Sequence, residues 1–467
     1  MLSFFRVNAP YQALILALLY IALRIPLLLS DTPLLIPELS WILVGEQMSR
    51  GFLLFRDIWD NVSPISGMVY WGLDSLFGRS QFVYQIAATL LGVFQILYFD
   101  YILRSKDVFA ERSYIPGLLY AVFLTISFDL STLSPMLMAS SLLLLSLGAI
   151  IRILSRRQVG SEVFEMGFYI GLAALFYLPA GFFAFWAASC LLLFTGATAR
   201  EHLLGFFGTL FPLSMVLLYF YLIDGIESLN RNLLASVFSV RQYELNDFAS
   251  LFLSLFLPLL LGLLGFLRIF RLRSTTFQAN MQQVMAIWFI LCVLMIPLMQ
   301  YLAPMQFVFF IPPAVFFSYY YFQSFKRRWL SELLFLLSFV AITGVYYLGV
   351  YDWIPNSSFS KLENLRTKEA LLPAEIHQKK IVVFGEEEGE YLTNITATPY
   401  LNWDLASYDL LNLDQFDSVI HVYDNFTKDP PEYIIDKVGI TPKLFGRIPA
   451  LEKKYTKTEW EGIYKRR

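Results

Sequence analysis

The chain has 467 residues, of which 57% are hydrophobic, 17% aromatic and only 15% charged, and its mean hydropathy is +0.57. A soluble domain carries about a quarter charged residues, so the composition excludes an ordinary soluble protein. The net charge of −2 argues against a nucleic-acid partner, because such a partner requires a dense basic face.

Cysteine and histidine are too sparse to suggest a metal or redox centre. Cys190 and Cys292 fall inside separate apolar stretches, which predicts two free core thiols rather than a disulfide or a metal pair. The three histidines, His202, His377 and His421, are scattered without the spacing of a zinc or haem site.

Apolar runs of the length that crosses a bilayer, about 20 residues, recur over the first 353 positions and predict about eleven transmembrane helices. The first is predicted to be an uncleaved signal anchor, because it is long and lacks a small-residue cleavage site. The chain is predicted to break between two spans at Leu178-Pro179. The predicted spans cover residues 11–30, 82–103, 113–129, 133–152, 164–178, 180–196, 203–223, 249–267, 284–301, 305–322 and 331–352.

The segment after the first span, residues 36–78, does not fit a lipid-facing helix. It carries Glu38, Glu46, Asp57 and Asp60 among apolar residues. Its two helical stretches, 37–52 and 63–78, are too short or too charged to span, and their Trp and Tyr residues suit the membrane interface. The pattern predicts interfacial helices and a site at the lipid–water boundary.

Two further connections carry residues suited to chemistry. Asp129 lies in a short turn between spans, and the loop 224–248 holds Arg231, Arg241 and Tyr243. Carboxylates that face arginines at a membrane surface suit a reaction on an anionic lipid head group. The carboxylate can activate a hydroxyl nucleophile, while the arginine holds a phosphate and stabilises it as it leaves.

The polar tail predicts a second domain, so we divide the chain into a transmembrane domain at 1–353 and a small α/β domain at 354–467. The run IVVFG at 381–385 predicts a strand, and SVIHVYD at 418–424 is also rich in β-forming residues. The amphipathic segment 430–439 completes an alternation of strand and helix signals. The tail has no Gly-rich phosphate loop and no nucleophile elbow, so we predict no second active site there.

Positive charge predicts the orientation. With the N-terminus inside, fourteen Lys and Arg residues up to position 353 fall in cytoplasmic connections and five on the opposite side. The odd number of spans then places the tail outside. The fourteen are Arg6, Arg104, Lys106, Arg112, Arg152, Arg156, Arg157, Arg200, Arg268, Arg271, Arg273, Lys326, Arg327 and Arg328, and the five are Arg50, Arg56, Arg79, Arg231 and Arg241.

The first loop also carries a motif-level resemblance. An acidic residue beyond the first span is followed by W-x-x-x-G, by G-x-x-x-x-R-D-x-W-D-x-x-x-P, and by a helix ending in F-G. These positions are Glu38, Trp41, Gly45, Gly51, Arg56, Asp57, Trp59, Asp60, Pro64, Phe77 and Gly78. The loop resembles that of the GT-C superfamily of integral-membrane glycosyltransferases, particularly the bacterial dolichyl-phosphate-mannose–protein mannosyltransferase-like and aminoarabinose-transferase-like members. The number of spans, the topology and the small outer domain are similar too.

The resemblance implies roles for individual residues. Glu38 matches the catalytic carboxylate, although Pro37 stands where many members have a second acid. Asp129 matches an acidic residue of the second outer loop, and Asp57 and Asp60 are further catalytic candidates. The residues implied to bind the donor phosphate are Arg241, Arg56 and Tyr243. Some members use a divalent metal and others none, so a metal is neither required nor excluded.

Simpler interpretations remain open. Glu38 also suits a helix start, where the dipole favours negative charge, and Asp57, Asp60 and Asp129 also suit capping positions. Arg241 also suits pairing with lipid head groups. A sixth position, Arg24, is an intramembrane arginine, which is by default functional or partnered but lies near enough to the span end to snorkel.

The sequence therefore predicts an α-helical polytopic protein of the bacterial inner membrane. The predicted activity moves a sugar from a polyprenyl-phosphate donor to a periplasmic acceptor, which is a glycan, a lipid or a protein. The alternative is a catalytically inactive GT-C-fold scaffold or assembly partner in a cell-envelope complex. A secondary transporter fits less well, since charged mid-span residues and repeated broken helices are not evident in the sequence.

Overall fold

The computed structural model describes the chain except residues 31, 156–159, 235–247, 271–273, 300–301, 352–365, 387 and 398. The chain divides into two compact units. The first, here called the helical unit, comprises Met1–Thr32, Gln81–Leu218 and Gln242–Asn364. The second, here called the mixed unit, comprises Pro33–Ser80, Tyr219–Arg241 and Leu365–Arg467.

Most of the described chain is helical, as the composition predicts. The α-helices are α1 Leu2–Arg6, α2 Tyr11–Leu28, α3 Ile36–Ser49, α4 Pro64–Phe77, α5 Gln81–Ser105, α6 Ile115–Phe123, α7 Pro135–Ser155, α8 Gly160–Phe176, α9 Phe183–Phe194, α10 Ala199–Leu222, α11 Ile226–Leu229, α12 Phe248–Ile269, α13 Thr276–Leu294, α14 Ile311–Gln323, α15 Arg328–Tyr351, α16 Trp403–Leu411, α17 Phe416–Lys428, α18 Thr441–Arg447 and α19 Pro449–Glu452. Tighter 3-10 turns include Phe128–Ser131, Leu178–Phe182 and Pro304–Phe310.

Within the described ranges, eight helical segments are long and apolar enough to cross a bilayer. They are Tyr11–Leu28, Gln81–Ser105, Pro135–Ser155, Ala199–Leu222, Leu251–Ile269, Thr276–Leu294, Pro304–Gln323 and Arg328–Tyr351. The protein is thus a multi-pass membrane protein, as predicted.

The predicted number of about eleven spans is higher than this. The other three predicted spans, 113–129, 164–178 and 180–196, fall on the shorter helices α6, α8 and α9. Every residue of α6 is buried. The break predicted at Leu178-Pro179 is confirmed, because a 3-10 turn separates α8 from α9 there.

The two cysteines are free and buried, as predicted. Both belong to helices of the helical unit, Cys190 to α9 and Cys292 to α13. The Cys292 thiol lies 3.4 Å from the Phe309 carbonyl oxygen, so it has a local partner in the core.

The mixed unit contains the helices predicted in the first loop. The stretches 37–52 and 63–78 form α3 and α4, although their orientation to the bilayer remains a prediction. The W-x-x-x-G pattern has a packing explanation, since Trp41 stacks on Tyr70 of α4 with ring centroids 6.0 Å apart. A Cβ atom at Gly45 would lie 2.7 Å from the Tyr70 carbonyl oxygen, so only glycine allows this approach.

The tail of the mixed unit forms a five-stranded sheet in the order β2-β1-β3-β5-β4. β1 pairs in parallel with β2 and β3, whereas β5 pairs antiparallel with β3 and β4. Its strands are β1 Lys380–Phe384, β2 Ile395–Thr396, β3 Tyr433–Asp436, β4 Tyr455–Lys457 and β5 Ile463–Arg466.

Two local predictions in the tail are corrected. The segment 418–424 is not β-rich structure but part of α17, whose buried residues Ser418, Val422 and Phe426 recur every four positions. The amphipathic segment 430–439 contains β3, whose four residues are all buried. Apolar runs this short do not distinguish strand from helix by periodicity. The strand predicted at 381–385 is confirmed as β1.

Candidate functional site

The R-D-x-W-D part of the first-loop motif anchors this loop to the sheet domain of the mixed unit. Trp59 is 7% exposed and belongs to the hydrophobic core that includes Phe384 and Phe426. Its ring lies edge-on to Tyr400 with centroids 5.4 Å apart, and its backbone N–H donates to the Pro399 carbonyl at 3.0 Å. The motif tryptophan is therefore a core residue shared by two distant parts of the sequence.

The predicted catalytic residue Asp57 is engaged in local and long-range contacts. Its Oδ2 accepts the Leu53 N–H at 3.1 Å, and its Oδ1 forms an ion pair with the Lys428 ammonium group. The Arg56 guanidinium, predicted to bind phosphate, lies 3.9 Å from the same carboxylate and is 53% exposed. Asp57 thus supports the loop, while Arg56 keeps much of its charge accessible to solvent.

Asp60 lies at the entry to α4. It is 2% exposed, and its Oδ1 accepts the Val62 N–H at 2.8 Å. A short aspartate side chain that bonds the backbone two residues on stabilises such a turn. Pro64 then occupies the first turn of α4, where a missing N–H costs nothing.

Glu38 occupies the third position of α3 and is 1% exposed. Its Oε2 lies 3.4 Å from the Leu35 N–H, in the arrangement of a capping box. Two residues further, the Ser40 hydroxyl donates to Oε2 of Glu388 at 2.6 Å. A carboxylate from the tail therefore reaches the start of the same helix, which sequence separation concealed. In the sequence, the only feature that draws attention to Glu388 is the acidic run Glu386-Glu387-Glu388 after β1. Glu387 lies outside the described residues.

Of the two arginines in the loop 224–248, Arg231 lies among the described residues. Its guanidinium carbon lies 4.2 Å from the centroid of the Trp59 ring and 5.2 Å from that of Tyr408. One of its nitrogens is 3.2 Å from Oδ1 of Asp409, which is 1% exposed. The charge of Arg231 is thus balanced within the mixed unit. The predicted phosphate ligands Arg241 and Tyr243 lie outside the described residues.

Asp129 belongs to the helical unit and lies in the 3-10 turn Phe128–Ser131, outside the helices. It is fully buried, and its Oδ2 accepts the Met305 N–H at 2.7 Å. Its Oδ1 receives no hydrogen bond of good geometry from the described part of the chain. Burial raises the pKa of Asp129 to about 6, against the opposing effect of the nearby Ser127 hydroxyl and the Met305 amide.

A large apolar groove also belongs to the helical unit. It is open to the surface, its volume is about 720 Å³, and only leucine and phenylalanine side chains line it. The lining residues are Leu251, Phe252, Leu255, Phe256, Leu259, Leu260, Leu263, Phe289 and Phe307. Phe307 lies on the 3-10 helix Pro304–Phe310, whose residue Met305 binds Asp129. The groove wall and the partner of Asp129 are therefore two residues apart.

A metal site has no complete ligand set in the part of the chain that the structure describes. Within those ranges, no group of three or more His, Cys, Asp or Glu side chains is placed to hold an ion. Asp57 and Asp60 bind backbone amides and a lysine, and Asp129 binds an amide. The predicted carboxylates thus stand in separate local environments.

Solved structures, but no sequence comparison, show proteins with a similar fold. No protein-family model matches the sequence, and no curated protein matches it. ArnT from Cupriavidus metallidurans, solved with bound undecaprenyl phosphate, is 15% identical with a TM-score of 0.52, over 76% of this chain and 68% of that chain. The oligosaccharyltransferase of Archaeoglobus fulgidus in its apo form is 12% identical with a TM-score of 0.49, over 97% and 75% of the two chains.

A second A. fulgidus structure, AglB in complex with an inhibitory peptide and a dolichol-phosphate, is 12% identical with a TM-score of 0.47, over 95% and 72% of the two chains. The eight apolar helical segments and the five-stranded sheet of the described chain make it a polytopic membrane protein with a small α/β domain. Its fold is the GT-C fold, which confirms the resemblance that the first-loop motif indicated.

Proposed function

We propose that the protein is a membrane glycosyltransferase that takes a sugar from a polyprenyl-phosphate donor and passes it to a periplasmic acceptor. The observation that carries the proposal is the apolar groove of about 720 Å³ beside the 3-10 helix that binds Asp129. A long isoprenoid tail needs such a groove, because its burial is favourable in proportion to apolar area. The GT-C fold supports the same class of donor.

In the proposed reaction the acceptor hydroxyl or amine loses its proton to a carboxylate and attacks the anomeric carbon of the sugar. The bond between that carbon and the phosphate oxygen breaks, and the polyprenyl phosphate leaves with both electrons. A base with a pKa close to the working pH is the most effective one. The pKa of Asp129, raised to about 6 by burial, suits this role.

Glu38 is the other candidate base, and it is tested separately because it belongs to the mixed unit. For the leaving phosphate we propose Arg56, whose guanidinium is 53% exposed, together with Arg241 and Tyr243. Arginine holds a phosphate through two parallel N–H donors and stabilises the charge that develops on it. Asp57 is assigned an orienting role, since it lies beside Arg56.

The proposed location is the bacterial inner membrane. The N-terminus lies in the cytoplasm and the tail in the periplasm, as the distribution of Lys and Arg predicts. The division into a transmembrane domain at 1–353 and a periplasmic domain at 354–467 belongs to the same proposal. The donor then meets its acceptor at the outer leaflet.

A second candidate function, an inactive GT-C scaffold, is favoured by two contacts in the mixed unit. Glu38 closes the first turn of α3, and Arg231 is neutralised by Asp409. A scaffold requires only the folded surface, so the two functions differ in how they respond to changes that preserve the fold.

A deletion strain separates the two functions. We expect loss of the protein to enrich one lipid-linked sugar, since its consumer is absent, and we expect Asp129→Asn and Glu38→Gln to leave it enriched. Asp417→Asn, on the exposed face of α17, serves as the control and should restore the normal profile. If both carboxylate variants restore the profile fully, the protein acts as an inactive scaffold and the proposed enzymatic function is wrong.

A further inference from the structure

Arg24 is a fully buried arginine in a predicted membrane span. It lies in the last part of α2, four residues before the helix ends, and its exposed fraction is 0%. An intramembrane arginine that snorkels would keep its charged end in water. Arg24 points instead into the helical unit, so its position needs another explanation.

The guanidinium of Arg24 donates hydrogen bonds to the turn that carries Asp129. Its Nη1 donates to the Ser131 hydroxyl at 2.7 Å and to the Leu130 carbonyl at 3.3 Å. Its Nη2 donates to the Ser131 carbonyl at 3.0 Å, and its Nε donates to the Thr89 hydroxyl at 3.3 Å. All four acceptors are neutral oxygens. Three of them belong to the two residues that follow Asp129.

The same turn is held from two further elements of the helical unit. The Tyr346 hydroxyl of α15 lies 3.1 Å from the Ser131 hydroxyl. A Cβ atom at Gly349 would lie 2.8 Å from the Phe128 ring, so α15 packs directly against the turn. Met305 then binds the Asp129 carboxylate itself. Arg24 is the only basic side chain among these named contacts.

Arginine is required by this geometry. The planar guanidinium group donates to the Leu130 and Ser131 carbonyls and to the Ser131 hydroxyl at once, whereas a lysine ammonium is a single point charge. Burial of the charge is costly, and a buried ionisable group in a membrane protein marks function by default. Yet Arg24 touches neither the groove lining nor the carboxylate of Asp129 in any of these contacts.

We propose that Arg24 is a positioning residue that fixes the turn Phe128–Ser131, so that the Asp129 carboxylate keeps its place on the Met305 N–H. The inference rests on the proposed function for the role of Asp129. Because misplacement of a reacting group by about 1 Å costs about 10²-fold in rate, Arg24→Gln lowers kcat by that factor. The KM for the donor stays unchanged, because the groove does not depend on Arg24.

The test has one arm that needs no activity. Hydrogen exchange of the full-length protein in nanodiscs is compared for wild type, Arg24→Lys, Arg24→Gln and the control Gln95→Leu. Gln95 is also fully buried, but it bonds α7 at Leu137, Ser140 and Ser141 and does not touch the turn. Arg24→Gln speeds exchange in 127–134, Arg24→Lys does so less, and Gln95→Leu leaves those amides unchanged. Unchanged exchange at 127–134 in Arg24→Gln overturns the proposal.

The second arm measures turnover of a polyprenyl-phosphate sugar in a double-mutant cycle with Asp129→Asn. Arg24→Gln should lower kcat in wild type about 10²-fold and add little in the Asp129→Asn background, since it acts through Asp129. Equal losses in both backgrounds overturn the positioning role while Asp129 keeps its own. Full turnover of Asp129→Asn contradicts the proposed function of Asp129 instead, and any effect of Arg24→Gln on exchange then reports structure alone.

Discussion

Replacing Trp59 by alanine is expected to release the first loop from the sheet domain of the mixed unit. The ring is 7% exposed, lies among core residues and stacks under the Arg231 guanidinium. Truncation of a buried Trp to Ala costs about 3–5 kcal/mol. Since about 1.4 kcal/mol corresponds to a factor of ten, the open population should rise about 10²- to 10⁴-fold.

Limited proteolysis under native conditions measures this change, because cleavage tracks the population of the open form when opening and closing are fast. Trp71 provides a matched control in the same loop, since it is 44% exposed on α4. Trp71→Ala should change stability by about 0.5 kcal/mol or less. Equal cleavage rates for Trp59→Ala and Trp71→Ala would refute the argument that the motif tryptophan is a core residue.

Three further predictions concern the packing of α3 on α4, the protonation of Asp129 and the membrane topology. Gly45→Ala should destabilise the α3–α4 pair by about 1–3 kcal/mol, since the new Cβ atom would lie 2.7 Å from the Tyr70 carbonyl oxygen. Gly72→Ala is the control, because the space around Gly72 is open, and it should not destabilise the pair. Thermal unfolding compares the two variants. Protonation of Asp129 removes the base, so kcat should fall as the pH drops below about 6, and Asp129→Asn should abolish this acid limb. A reporter fused after Arg328 should lie in the cytoplasm and one in the tail in the periplasm; the reverse result would refute the topology.

The membrane architecture was largely predictable because hydropathy is a local property. Each predicted span coincides with a helix, and the interruption before Pro179 was evident from the sequence. Eight helical segments of the described chain have the length and composition of a crossing, and the other three predicted spans fall on the shorter helices α6, α8 and α9.

The site was less predictable because its contacts join distant parts of the chain. Lys428 pairs with Asp57, and Ser40 bonds Glu388, across more than 340 positions in each case. The first-loop motif singles out Asp57 and Trp59 in the sequence. Only the fold shows that Asp57 pairs with Lys428 and that Trp59 packs in the core of the sheet domain. Arg24 was conspicuous in the sequence, whereas its neutral acceptors have no sequence signal.

The most direct measurement of the proposed function is turnover by the purified protein in nanodiscs with a panel of undecaprenyl-phosphate hexoses and pentoses. Mass spectrometry follows the release of undecaprenyl phosphate. The account predicts release from at least one donor, lowered about 10²- to 10⁴-fold by Asp129→Asn and unaffected by Asp417→Asn. Release that is equal in wild type and Asp129→Asn, or no release from any donor of the panel, would contradict it.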